Sequence, residues 1–217
     1  ARVAAGFPLV KEMVRIRTKY FDDALEREIR AGCRQVVILG AGLDTRAVRK
    51  RSPGVTFFEI DDATTLLVKR ARYEHEHFDI NLRFIPGNYV TDGLSRLLET
   101  NGFDFDQPAY FIWEGNTMYL PMEAVRRTLT ELRDRVRRFR IAFDYMAESV
   151  ITKTTGDPRV TRLVENFENM GAPWLTGITD VWSFARELGL DPLESFCVTE
   201  LYRAYNVPRS TSSTISE

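Results

Sequence analysis

Residues 34–62 read RQVVILGAGLDTRAVRKRSPGVTFFEIDD. A β-branched apolar run, Val36 to Leu39, ends in Gly40-Ala41-Gly42. A second apolar strand, Val55 to Phe58, closes on Glu59 and Asp61. Strand, glycine turn, helix, strand and acid make the first half of a nucleotide-cofactor site. The glycines let the backbone pass close to a ligand. The acid at the end of the second strand accepts hydrogen bonds from ribose hydroxyls.

Outward from this stretch, apolar runs and turn signals alternate. Strands are predicted at 35–39, 55–60, 82–86, 109–113 and 140–145, and helices at 9–31, 44–51, 63–75, 92–100 and 121–137. In the last of these helices Val125, Leu129, Leu132 and Val136 recur at helical spacing, and Pro121 suits its first turn. A further helix at 179–188 ends at Gly189, and Phe196 to Leu201 reads as another strand. The alternation predicts a single α/β domain over 1–217: a doubly wound, mostly parallel, Rossmann-like sheet with an N-terminal helical segment. Residues 151–177 break the pattern with Gly156, Asp157-Pro158, Gly171 and Pro173. They are expected to form a helical substrate cap after strand five, with Phe167, Met170 and Trp174 in the pocket. The tail from Pro208, rich in Ser and Thr, is expected to be frayed or to form an arm.

In an open parallel sheet the ligand lies beyond the carboxyl ends of the strands. The turns 40–46, 59–62, 87–91, 114–120 and 144–149 therefore share one edge. A dinucleotide site calls for a third glycine at position 45, where this chain has Thr45 between Asp44 and Arg46. A carboxylate there is a poor neighbour for a pyrophosphate and suits a positively charged ligand. S-adenosyl-L-methionine carries an ammonium and a sulfonium.

Four segments, RTKYFDDAL (17–25), GAGLDTR (40–46), FFEIDD (57–62) and WEGNTMYLP (113–121), resemble the leucine carboxyl methyltransferase family in their expected order. The resemblance covers about residues 15 to 150 and includes many bacterial O-methyltransferases. It implies a cofactor site for S-adenosyl-L-methionine built from Arg17, Gly40, Gly42, Glu59, Asp61, Asn88, Tyr89 and Glu114. Gly40 and Gly42 would admit the methionine part. Asp61 is favoured over Glu59 for the ribose, although alternation along the strand lets both point one way. Asn88 stands where the family usually has an Asp that accepts from the adenine amino group, and Asn can still accept through its carbonyl oxygen. Tyr89 would add its backbone amide or ring face. Glu114 would pair with the ammonium, and Arg17, with Arg15 as fallback, would hold the methionine carboxylate bidentately.

Methyl transfer from a sulfonium is a direct displacement. A carboxylate acceptor, with a pKa of about 4, is already ionised and needs no base. A hydroxyl acceptor needs one, and Tyr119, Tyr145, Asp144 or Glu148 is available. The expected acceptor is a small molecule. Methylation of a protein carboxyl terminus is the first alternative, and a nicotinamide-dependent dehydrogenase on the same sheet is the second. The strand-four turn lacks the Asp/Asn-Pro-Pro-aromatic sequence of many amino-group methyltransferases. That counts against nitrogen methylation.

The bulk composition narrows the partners. With 217 residues, 44% hydrophobic content and a formal net charge of −1, the chain is long enough for a full core and gives no electrostatic case for nucleic acid or a membrane surface. The longest apolar runs are strand-sized. Cys33 and Cys197 form no metal pattern, and a reducing, cytoplasmic setting is expected. His75 and His77, in YEHEHF, are expected on solvated surface rather than on a metal. The arginines from 126 to 140 are read as the polar face of an amphipathic helix.

Overall fold

Apolar on both sides, the run Gln35–Leu39 is buried at every position and becomes β1, the middle strand of a sheet. The computed structural model describes residues 8–205 apart from 77 and 79. Its order is α1 (Pro8–Arg30), β1, α2 (Arg46–Arg49), β2 (Thr56–Asp61), α3 (Ala63–His75), β3 (Leu82–Pro86), α4 (Leu94–Thr100), β4 (Ala109–Trp113), a 3-10 turn (Thr117–Tyr119), α5 (Met122–Arg135), β5 (Phe139–Phe143), α6 (Glu148–Ile151), α7 (Pro158–Asn169), α8 (Val181–Glu187) and α9 (Val198–Ala204). The strands lie in the order β3-β2-β1-β4-β5, and every pairing is parallel. The expected Rossmann-like α/β architecture is therefore present. The strand order reverses between β1 and β4, which opens a crevice at their carboxyl ends.

Strand alternation divides the core into two layers. Val37, Leu39, Phe58, Ile60, Phe111 and Trp113 face α4, α5 and α8 through Leu97, Leu98, Val125, Leu129 and Phe184. Val36, Ile38, Phe57, Tyr110 and Ile112 face α1 and α2 through Phe21, Ala24, Leu25 and Ala47. No helix among the described residues is long and apolar enough to cross a membrane.

One expected element is corrected. Phe196 to Leu201 is not a strand: it enters α9, which packs against α1. The local chemistry explains it. The Cys197 backbone N–H donates to the Glu200 carboxylate at 2.7 Å, the reciprocal contact that starts a helix. Phe196, 45% exposed, sets its ring edge-on to Tyr20 of α1 rather than entering the sheet. The tail from Pro208 and His77 lie outside the described residues, and His75 is exposed at the end of α3.

The segment 151–177 folds as α7 and a return strand of chain. It docks on the turn after β4. Phe167 and Trp174 stack at 4.7 Å, and Val164 and Trp174 bury against Met118. Main-chain bonds fix the return: Leu175 N–H to Met118 carbonyl at 2.6 Å and Ile178 N–H to Met146 carbonyl at 2.9 Å, with a parallel bridge between Met146 and Gly177. Met170 stays 51% exposed.

Beneath the ends of β1 and β2, Glu59 is fully buried and its carboxylate lies 2.6 Å from Lys69 Nζ on α3. The contact is ionic and not an aligned hydrogen bond. Burial pushes the Glu59 carboxyl up to about 7, and Lys69 only partly offsets that. A carboxyl raised in the fold favours folding most at low pH, and the contribution is lost as pH rises from the ordinary carboxylate range to about 7.

Two stability predictions come from these contacts. A methyl on Gly177 would stand 2.6 Å from Glu148 Cα and 2.9 Å from its nitrogen. Gly177→Ala should therefore cost about 1–3 kcal/mol by overpacking and expose 151–177 to limited proteolysis; an unchanged urea midpoint and cleavage pattern would refute the tight approach. Lys69→Met removes the cation that offsets the burial of Glu59. Its cost should grow as pH rises through about 7, by up to about 1.4 kcal/mol per pH unit. Urea unfolding at several pH values tests this, and a pH-independent cost would show that the pair is not ionised in the fold.

Candidate cofactor site

The crevice between the carboxyl ends of β1 and β4 is a cleft of about 420 Å³. Its walls come from three places: α1 (Arg17, Thr18), the turn after β1 (Gly40 to Arg46) and the turn after β4 (Glu114 to Asn116). The first turn needs its glycines. Gly40 has φ +63°, and a Cβ there would overlap the Asn116 side-chain amide. Gly42 has φ +46°, and its N–H donates to Asp61 Oδ2 at 2.6 Å. Asn116 donates to the carbonyls of Glu114 (2.9 Å), Leu39 (3.3 Å) and Gly40 (3.4 Å), so one amide ties the two turns together.

The floor is a network of charges. Glu114 Oε1 accepts from Arg17 Nε at 2.8 Å, and Oε2 lies 2.6 Å from Arg46 Nη2. Arg46 is 2% exposed and also meets Asp22 at 2.7 Å and Asp44 at 2.5 Å. Arg49 meets Asp22, and Arg17 reaches Asp144 at 2.7 Å. Three guanidiniums thus meet four carboxylates, and Lys50 adds a fourth cation 3.7 Å from Asp22. Burial opposes the charge on Arg46, but Asp44, Glu114 and Asp22 hold its pKa above the ordinary value. Burial would raise Asp22, yet Arg49 and Arg46 keep its carboxyl below the usual range. Asp144 is raised by burial, with Arg17 and the Gly115 N–H pulling the other way.

Of the residues expected to hold a cofactor, Arg17, Gly40, Gly42 and Glu114 line this cleft together. Asp61 sits at its rim, bonded to the Gly42 and Asp62 N–H groups. Glu59 lies below, on Lys69, and does not reach the cleft wall. Asn88 is exposed and spends its side-chain oxygen on an Asx turn, accepting from Val90 N–H at 2.9 Å. Tyr89 turns into the core, where its hydroxyl accepts from Trp113 Nε1 at 2.9 Å, and burial pushes that hydroxyl up to about 12. Tyr119 packs with the docked 151–177 segment, and the Tyr145 hydroxyl pairs with Ser195 at 3.1 Å. Neither tyrosine, and no residue of 151–177, is among the cleft walls.

Sequence reasoning gave no site role to Asn116, Arg46 or Asp22. Arg46 and Asp22 stood inside the quoted segments GAGLDTR and RTKYFDDAL, but only three-dimensional contact shows that they share Glu114's charge. For Asn116 the signal was weak: a polar residue after Glu-Gly is common in any turn. The arginines of α5 line a hollow of about 610 Å³ that belongs to the exposed face of that helix alone, and Arg126 and Arg135 pair with Glu187 and Glu99. Among the described residues no group of three or more His, Cys, Asp or Glu is placed to hold a metal ion.

The donor set fits S-adenosyl-L-methionine: a glycine cradle, a carboxylate for an ammonium and a guanidinium for a carboxylate. Comparison with known proteins points the same way. A relative from Mycobacterium ulcerans, provisionally named an S-adenosyl-L-methionine-dependent methyltransferase, is 32% identical over 173 residues, which cover 75% of this chain and 54% of the relative. The chain thus spans about half the length of the curated relatives it matches. The solved structure of a provisionally named methyltransferase from Thermobifida fusca superposes with a TM-score of 0.63 at 20% identity, covering 86% of this chain and 70% of that one. The magnesium protoporphyrin IX methyltransferase of Synechocystis, solved with bound SAH, superposes at 0.55 with 10% identity over 83% and 76% of the two chains. At such identities the likeness speaks for the fold. Residues 2–133 match the model of the leucine carboxyl methyltransferase family. The chain therefore belongs to the leucine carboxyl methyltransferase family, a family of S-adenosyl-L-methionine-dependent methyltransferases.

Proposed function

We propose that this chain is the cofactor-binding part of an O-methyltransferase that moves a methyl group from S-adenosyl-L-methionine to the carboxylate, or a hydroxyl, of a small metabolite. The single observation that carries the reading is the cleft floor: Glu114 and Arg17 side by side beneath a glycine cradle. When bound, S-adenosyl-L-methionine supplies an electrophilic methyl on a sulfonium. The protein's part is then to bind and orient. Gly40 and Gly42 give backbone approach, Glu114 faces the ammonium, Arg17 the carboxylate, and Asp61 at the rim the ribose. Holding donor and acceptor in line removes motional entropy from the barrier, worth several kcal/mol.

Among oxygen acceptors a carboxylate is favoured, because it asks for no proton acceptor beside the methyl. An ionised carboxylate needs none, because at neutral pH it lies well above its pKa of about 4. A protein carboxyl terminus is the second reading. The observation behind it is the placement of 151–177 beside the cleft, docked on the 117–120 turn.

Calorimetry should find S-adenosyl-L-methionine binding tighter than nicotinamide dinucleotides; the reverse order would sink the cofactor assignment. Glu114→Gln should weaken that binding by roughly 1.5–3 kcal/mol, the range for a hydrogen bond to a charged group. Gly40→Ala should abolish it, since the methyl collides with Asn116 and the residue sits at positive φ. A screen for labelled methyl transfer onto metabolite carboxylates, metabolite hydroxyls and peptide carboxyl termini separates the acceptor readings. Transfer to amines alone would defeat oxygen methylation.

A further inference from the structure

Arg17 enters the cleft from α1 with its guanidinium held on two sides. Nε donates to Glu114 at 2.8 Å and Nη1 to Asp144 Oδ2 at 2.7 Å. Neither acid engages Nη2, which lies over Gly115: a Cβ on that glycine would stand 3.5 Å away. Asp144 follows β5 directly. Its second oxygen accepts the Gly115 N–H at 2.6 Å, and its carbonyl accepts from the Thr117 hydroxyl. Asp144 therefore fixes both the turn that carries Glu114 and the guanidinium that Glu114 meets. Its side chain is 15% exposed and is not part of the cleft wall, so it acts through Arg17. Among the described ion pairs, Arg17 is the one cation it contacts.

We propose that Asp144 is a positioning residue: with Glu114 it clamps the Arg17 guanidinium so that Nη2 faces the carboxylate of the cofactor's amino-acid portion. This rests on the S-adenosyl-L-methionine reading above and adds a residue to it. A clamp held at two corners leaves the third free for a ligand, and a planar guanidinium suits that arrangement where an ammonium does not. The geometry also makes the effect local. Only the amino-acid end of a ligand meets Arg17, so the adenosine end should not register the loss of Asp144.

Asp144→Asn tests this. It keeps the side chain's size and an oxygen able to accept the Gly115 N–H, and it removes the charge that faces Arg17. Wild type and variant are titrated by calorimetry with S-adenosylhomocysteine and with 5′-methylthioadenosine, which shares the adenosine and sulfur but has no amino-acid carboxylate. The expected result is a loss of about 10-fold for S-adenosylhomocysteine and less than about twofold for the nucleoside. Unchanged S-adenosylhomocysteine binding overturns the proposal. Equal losses for both ligands overturn it too, because a general collapse of the turn would weaken both. Wild type that binds neither ligand strikes the cofactor reading itself, and the proposal with it. If Asp144→Asn does not fold, Arg17→Lys reads the clamp from its other side. A lysine cannot span both acids, so it should lose S-adenosylhomocysteine and keep the nucleoside; full retention of both would overturn the clamp.

Discussion

Glu114 is shared between two arginines from opposite directions, and the site is assembled around that sharing. Arg17 comes from the long helix before the sheet, and Arg46 from the single helical turn after β1. Their common acid sits where the strand order reverses. A carboxylate at that point thus joins the N-terminal helix, the glycine turn and β4 in one contact set. Without it, α1 and the glycine turn would lose their shared ionic anchor at the end of β4, and the Asn116 amide alone would tie the two turns.

Burying so many charges is costly unless each finds a partner. Arg46 meets that condition with three carboxylates at 2.5–2.7 Å, and Asp22 passes the chain of pairs on to Arg49 and Lys50. Removing one member would strand a buried charge.

The sheet was legible because its strands are nearly continuous apolar runs with glycine or acid at their ends. Residues 35–39 and 109–113 are buried throughout, as a strand covered on both faces must be. Gly40, Gly42 and Glu114 were legible for a related reason: each stands in a turn that the topology sends to one edge, whereas Arg17, within α1, was legible only through the resemblance of RTKYFDDAL. Three readings ran past what one dimension carries. Phe196 to Leu201 has strand-like composition, but a capping contact from Glu200 three residues into the helix decides its state. Tyr89 follows an edge turn, yet a hydrogen bond to Trp113 makes it core. Glu59 alternates in phase with Asp61, but the last residue of a strand reaches the rim and the one two before it lies under α3, where Lys69 waits.

The turn after β4 serves two surfaces at once. Its first residues, Glu114 to Asn116, line the cleft; its last, Met118 to Leu120, receive the segment 151–177 through main-chain bonds to Met118 and a Thr176 hydroxyl bond to the Leu120 carbonyl. Backbone contacts of that kind ask little of side-chain identity at the receiving end. The docked segment can therefore change its own exposed side chains, such as Met170 and Leu175, without disturbing the residues that meet the cofactor. An arrangement of this kind leaves the exposed side chains of 151–177 free to vary while the segment stays anchored through its backbone.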